Sequence, residues 1–115
     1  MRASAVVVDD HATFRASARR LLELCGFDVV GEAADGASGL SLVRDLQPAL
    51  VLLDVALPDM SGFDVADELA ASGTKIVLVS SRDPSEVARR MRRTRAAGFI
   101  AKDQLSEETL QAVVG

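Results

Sequence analysis

The sequence predicts an α/β domain in which five strands alternate with five helices, (βα)5, with the strands forming a doubly wound parallel sheet. Two observations predict it. Short β-branched or aliphatic runs alternate with longer stretches of helical period. The runs are also apolar on both faces, as parallel strands covered by helices on both sides must be. With 115 residues, 49% of them hydrophobic, the chain is expected to be one domain over residues 1–115 with its own core, held together without cofactor or disulfide.

Each element has its own signal. Strands are predicted at residues 5–8, 27–33, 50–53, 75–79 and 98–101. Phe14, Ala18, Leu21, Leu22 and Cys25 fall on one helical face, with Gly26 as the C-cap and Cys25 as a buried helix thiol. Leu40, Val43 and Leu46 form a second stripe, closed by Pro48, and Phe63, Ala66, Leu69 and Ala70 a third. Gly36, Ser61 and Ser106 stand at helix starts. The last opens a capping-box pattern, Ser106-Glu107-Glu108-Thr109, that lacks an acid at its fourth position. Asp83 suits the N-cap and Pro84 the first turn of the fourth helix.

Composition narrows the function classes. A lone cysteine forms no internal disulfide and fits a reducing, cytoplasmic setting. The first apolar run ends at Val8, too short for a signal-peptide core, and no stretch approaches the roughly 20 apolar residues of a membrane span. A net charge of −4 argues weakly against nucleic-acid binding by this chain itself.

Right-handed crossovers place every strand's C-terminal end along one sheet edge, where open α/β sheets form their ligand sites. Asp9 and Asp10 follow the first strand, Asp54 the third, Ser80 and Ser81 the fourth, and Lys102 the fifth. Lys75 opens the fourth strand and belongs to the opposite edge. Singly, each residue has an ordinary reading as a turn, cap, loop hydroxyl or solvated charge. Their coincidence at four strand ends of one edge does not. Clustered carboxylates repel unless a cation intervenes, and an all-oxygen set suits Mg²⁺ with open positions for water and phosphate. One carboxylate can then act as nucleophile and form an acyl phosphate. A lysine and a serine hydroxyl can hold phosphoryl oxygens as charge moves onto it.

"VVVDDH", "LLDVALPDMSG", "VLVSS" and "GFIAKD", in that order over essentially the whole chain, resemble the receiver domain of two-component response regulators. Pro58 and Gly62, four and eight residues after Asp54, belong to the same likeness. The resemblance implies a flavodoxin-like fold with strand order 2-1-3-4-5. It implies that Asp54 accepts a phosphoryl group from a phosphohistidine on a sensor histidine kinase. Asp9, Asp10, Asp54 and the backbone carbonyl of Ala56 would hold Mg²⁺, and Ser80 and Lys102 would bind the phosphoryl oxygens. Ser80 and Phe99 would form the switch that links phosphorylation to a population shift.

Some letters depart from the family pattern. Asp103 follows Lys102 where the family commonly has a cis-linked proline. A cis non-proline bond costs about 2.5–4 kcal/mol, so a trans or less fixed loop is expected. Ser81 stands where many members carry Ala or Gly, and Phe99 lacks the frequent tyrosine hydroxyl. The "KD" form resembles receivers joined to helix-turn-helix (LuxR-type) output domains, so DNA is expected to be contacted only through an output domain outside this chain. "SEETLQAVVG" ends early for this family's last helix, and a truncated helix with an output domain beyond residue 115 is the expectation.

"DPSEVARRMRRTRAAG", with Arg82 just before it, accounts for six of the thirteen basic residues, Arg82, Arg89, Arg90, Arg92, Arg93 and Arg95, over an apolar stripe of only Val87 and Met91 with some alanines. This basic face is expected to meet an acidic patch on a partner or a second copy. A homodimer would form through the fourth helix, fifth strand and fifth helix, or through the first and fifth helices. His11 is expected to have a structural or loop role. An aspartate-nucleophile phosphatase of the haloacid-dehalogenase type would need an acid at Ala56, and no G-x-G-x-x-G follows the first strand to mark a nucleotide fold.

Overall fold

A computed structural model describes residues 2–94 and 96–114. Its elements run β1 (Ala3–Val8), α1 (Ala12–Leu24), β2 (Phe27–Ala33), α2 (Gly36–Leu46), β3 (Leu50–Asp54), α3 (Gly62–Glu68), β4 (Lys75–Ser80), α4 (Pro84–Met91), β5 (Gly98–Ala101) and α5 (Glu107–Val114), with a 3₁₀ turn at Lys102–Gln104. All strand pairs are parallel and the order is β2-β1-β3-β4-β5. The (βα)5 doubly wound sheet and its 2-1-3-4-5 order are therefore as expected.

Strand alternation divides the core into two layers. Val6, Val8, Val51, Leu53, Ile76 and Leu78 face α2, α3 and α4, packing with Leu40, Val43, Phe63, Ala66 and Val87. Ala5, Val7, Leu50, Leu52, Val77 and Val79 face α1 and α5, packing with Ala18, Leu22 and Leu110. β1, β3 and β4 are apolar on both sides because they lie inside the sheet, and that burial aligns their C-terminal ends.

The caps explain where the helices begin. Asp35 caps α2 by accepting from the Ser38 amide at 2.7 Å, Ser61 caps α3 through the Phe63 amide at 3.2 Å, and Asp83 caps α4 through the Ser85 amide at 2.8 Å. At α5 the Ser106 hydroxyl accepts from the Thr109 amide at 3.2 Å, while Thr109 Oγ1 accepts from the Ser106 amide at 2.9 Å. Thr109 thus performs the return half of the capping box without an acid.

Four expectations need correction. Cys25 is not a buried helix thiol; it is the partly exposed C-cap of α1, ahead of Gly26 at φ +93°. Leu46 is 44% exposed, because it is the last residue of α2 before Gln47 turns the chain in a left-handed conformation. Ala70, given to the third stripe, lies past the end of α3. The basic segment is only partly helical. α4 ends at Met91 with Val87 its one buried residue, so Arg82 precedes it and Arg92 and Arg93 follow it. No apolar residue continues the stripe beyond Met91, so nothing draws further turns onto the sheet. Arg95 lies outside the described residues.

Gly62, the first residue of α3, is required by space. A Cβ there would stand 2.1 Å from the Asp54 carbonyl oxygen and 2.8 Å from Val55 Cα, both backbone atoms that cannot yield. The close approach holds the β3–α3 loop against the strand that ends in Asp54.

Candidate functional site

The carboxyl edge of the sheet gathers the predicted side chains. Val8 pairs with Leu53 across β1 and β3, so Asp9 and Asp54 leave neighbouring strands at the same level. Asp54 pairs with Val79, which brings Ser80 to that level on β4, and Ser80 pairs with Ala101, just before Lys102. Asp9 is fully buried, and Asp54 and Ser80 nearly so. Asp10 is exposed.

Lys102 stands among the acids. Its Nζ lies 2.7 Å from Asp9 Oδ2, 3.6 Å from Asp54 Oδ2 and 4.4 Å from the centroid of the Phe14 ring. The ring lies where it can share the ammonium's charge from the apolar side. The close Asp9 contact is a charge contact outside hydrogen-bond geometry, and Asp9 Oδ2 has no hydrogen-bond partner although it is buried. Asp9 Oδ1 is better served, accepting from the His11 amide at 2.8 Å. Arg15, on α1, donates through Nη1 to the Asp9 carbonyl at 2.7 Å and so braces that loop from outside.

Burial, and next the charge of Asp9, hold the Asp54 carboxyl above its ordinary value. Lys102 and the Ala56 amide, a long 3.4 Å contact to Oδ1, pull the other way, and Asp10 adds a smaller upward push. The site is thus short of positive charge. Donor atoms of Asp9, Asp10, His11 and Asp54 all lie within 4.8 Å of one another, a little wider than the roughly 4.2 Å between opposite ligands of an octahedral ion with bonds of about 2.1 Å. The buried Asp9 oxygen, met among the described residues by the Lys102 ammonium alone, and the oxygen-rich set fit a hard divalent cation.

The other predicted residues are placed as follows. Ser80 Oγ accepts from the Arg82 amide at 2.9 Å, which leaves its proton available to donate. Ser81 is exposed and, with His11, Thr13, Phe14, Ser17 and Lys102, borders an open hollow beside the site. Ala56 pairs with Ser61 in an isolated antiparallel bridge that closes the β3–α3 loop. Phe99, beside Leu78, is partly buried on the α4 side of the sheet. The Lys102–Asp103 peptide is trans. Lys75 is at the opposite edge, where its Nζ donates to the Val114 carbonyl at 2.9 Å.

Asp59 makes a tether in the loop after Asp54 that the sequence did not reveal. Its carboxylate accepts from the Gly36 amide at 2.7 Å and the Ala37 amide at 2.9 Å, tying the loop after Asp54 to the N-terminus of α2. These two amides lower its pKa. A carboxyl held below its unfolded value contributes stability above that value and loses it as pH falls through the folded one. Asp59→Ala is expected to speed hydrogen exchange at Gly36 and Ala37, and the difference from wild type should vanish in acid; equal exchange rates at neutral pH would contradict the tether.

The response regulator receiver domain family matches residues 5–114. The chain belongs to this family. It is 40% identical over 55 residues to the virulence factors transcription regulator BvgA of Bordetella pertussis, a stretch covering 48% of this chain and 26% of that protein. It is 37% identical over 59 residues to the nitrate/nitrite response regulator protein NarL of Escherichia coli, covering 50% and 27% respectively. The chain thus aligns with about a quarter of the length of these relatives. Among solved structures, the receiver domain of NarL from Mycobacterium tuberculosis superimposes with a TM-score of 0.84 at 35% identity, covering 99% of this chain and 98% of that one. A LuxR-family response regulator from Aurantimonas gives 0.88 at 29% identity over 99% and 84%. Among the described residues no helix is long and apolar enough to cross a membrane.

Proposed function

We propose that this receiver domain, residues 1–115, is a cytoplasmic phosphoacceptor switch in which Asp54 takes a phosphoryl group from a phosphohistidine of a sensor histidine kinase. The observation that carries the reading is the cluster of Asp9, Asp10, Asp54 and Lys102 at one strand edge, with Asp54 almost fully buried. An Asp54 carboxylate oxygen attacks phosphorus, the P–N bond breaks, and the ring nitrogen leaves with the bond's electron pair and holds a proton. The product is an acyl phosphate. Lys102, between Asp9 and Asp54, stands where it can take one phosphoryl oxygen, and the free hydroxyl proton of Ser80 can serve another.

Asp9, Asp10, Asp54 and the Ala56 carbonyl would hold Mg²⁺, which when bound supplies the positive charge that the site and a phosphoryl group require. Ser80 and Phe99 are the proposed switch pair, shifting the face of α4, β5 and α5. The domain catalyses its own phosphorylation and slow dephosphorylation and acts on no free metabolite. BvgA and NarL, by their names a transcription regulator and a response regulator, support an output that acts on DNA through a further domain.

The test is intact-mass measurement after incubation with acetyl phosphate. Wild type should gain one phosphoryl group only with Mg²⁺, and Asp54→Asn should gain none; an unmodified wild type, or equal labelling of the variant, would overturn the reading.

The partner surface is proposed to include the exposed arginines around α4, with a homodimer through α4, β5 and α5 or through α1 and α5. Arg90 is engaged within the chain, 4.7 Å over the Phe63 ring and 3.6 Å from Asp64. Arg89 and Arg93 have no such ties among the described residues. Charge reversal at both is expected to weaken phosphorylation-dependent association by ultracentrifugation; unchanged association would refute their role.

A further inference from the structure

Phe14 meets the site from α1, the helix that begins at the carboxyl edge of the sheet. Ala18 and Leu22, four and eight residues further on, are fully buried in the layer that α1 covers, and Phe14 continues their face one turn closer to the strand ends. A helical side chain leans toward the N-terminus of its helix, which here is the direction of the site. The partly buried ring accordingly lies with its centroid 4.4 Å from the Lys102 ammonium, and the two side chains border the same open hollow.

Among the described residues, Lys102 Nζ is otherwise held by charge alone. Asp9 Oδ2 at 2.7 Å and Asp54 Oδ2 at 3.6 Å attract it without hydrogen-bond geometry, and undirected attraction does not fix where an ammonium sits. Both carboxylates also belong to the proposed cation set. A divalent ion bound there would neutralise the charges that now attract the lysine. The ring is uncharged and has no donor atom, so it competes for no ion and keeps its hold. The Lys102 side chain is only 14% exposed, which spares that attraction much of the screening by water.

The geometry points to Phe14 as a positioning residue: its ring face holds the Lys102 ammonium beside Asp54, aimed for a phosphoryl oxygen, with the acidic cluster empty or filled. This rests on the phosphoacceptor reading above and adds to it a residue of α1 that acts only through Lys102. The contact needs a π face, so an aliphatic side chain can fill the space without holding the charge.

The experiment compares wild type, Phe14→Leu and Phe14→Tyr. Lys75, at the opposite edge of the sheet, is the only other lysine in the sequence and serves as the internal reference. In the metal-free protein, nuclear magnetic resonance should show the Lys102 ε-methylene protons shifted upfield of those of Lys75 by the ring current in wild type and Phe14→Tyr, and not in Phe14→Leu. With acetyl phosphate and saturating Mg²⁺, Phe14→Leu should be phosphorylated about fivefold more slowly, the scale of one partly desolvated cation–π contact, and Phe14→Tyr at close to the wild-type rate. The Mg²⁺ concentration giving half the maximal rate should not rise in either variant, since the lysine, not the acids, is what the ring holds.

An unshifted Lys102 in wild type, a Leu variant as fast as wild type, or a Tyr variant as slow as Leu would overturn the role of Phe14 and leave the phosphoacceptor reading standing. So would a raised Mg²⁺ requirement in the Leu variant, which would show the ring to be supporting the Asp9–Asp10 loop instead. A wild type that takes up no phosphoryl group would overturn both.

Discussion

Lys102→Met should destabilise the metal-free domain by about 3 kcal/mol, because it leaves a buried carboxylate without its counter-charge. Asp9 is 0% exposed and Lys102 Nζ is the cation 2.7 Å from its Oδ2. Methionine retains the length and the contact with Phe14 but removes the charge. The value is set at the low end of the range for broken buried pairs, since the lysine side chain keeps 14% of its exposure. For a domain of this size the melting temperature should fall by on the order of 10 °C. The chain has no Trp or Tyr, so the transition is followed by far-ultraviolet circular dichroism rather than fluorescence. Asp9→Asn in the same chain should recover most of the loss, because the orphaned charge is then gone. A cycle of the two single variants and the double isolates that coupling. A single variant within about 0.5 kcal/mol of wild type, the range of ordinary surface changes, would contradict the pairing.

Asp54→Asn should act in the opposite direction. Burial and the charge of Asp9 hold the Asp54 carboxyl above its ordinary 3.8, so the folded state binds its proton more tightly than the unfolded chain does. Such a group contributes stability at pH below about 3.8, and the contribution is lost as pH rises through the raised folded value. At neutral pH the ionised Asp54 is a cost to the fold, which the proposed phosphoacceptor role accounts for. In EDTA at pH 7, asparagine should stabilise the domain by on the order of 1 kcal/mol, the typical scale of a single substitution, here with favourable sign. The advantage should shrink as pH falls toward the ordinary carboxylate range. Addition of Mg²⁺ should also narrow it, since an ion bound only by the folded wild type adds to wild-type stability. An asparagine variant less stable than wild type in EDTA would show that Asp54 is not strained.

The sheet was legible in the sequence because burial on both faces writes itself as unbroken apolar runs, and the residues that end those runs are the residues at the site. Asp9, Asp54, Ser80 and Lys102 could be assigned to one edge from connectivity alone. Lys75 could be assigned to the other. What stayed hidden involves partners brought together only by the fold. Asp59 reads as a turn letter beside Pro58, yet its partners Gly36 and Ala37 lie 23 and 22 residues earlier. Phe14 reads as one more member of an apolar stripe, and its contact with Lys102 depends on that side chain reaching from the end of β5 to Asp9 at the end of β1. Helix ends were the other weak point. Leu46 fits a periodic stripe but is the last residue of α2, where Gln47 turns the chain, and the arginines after Met91 continue a helical-looking composition with nothing apolar to anchor it.

The central claim is that Asp54, among the three clustered aspartates, is the one that becomes an acyl phosphate. Borohydride reduces an acyl phosphate to an alcohol and so converts that aspartate to homoserine. After incubation with acetyl phosphate and Mg²⁺ followed by borohydride, peptide mass spectrometry should find homoserine at position 54 and aspartate retained at positions 9 and 10. Homoserine at 9 or 10, or aspartate unchanged at all three positions, would contradict the account.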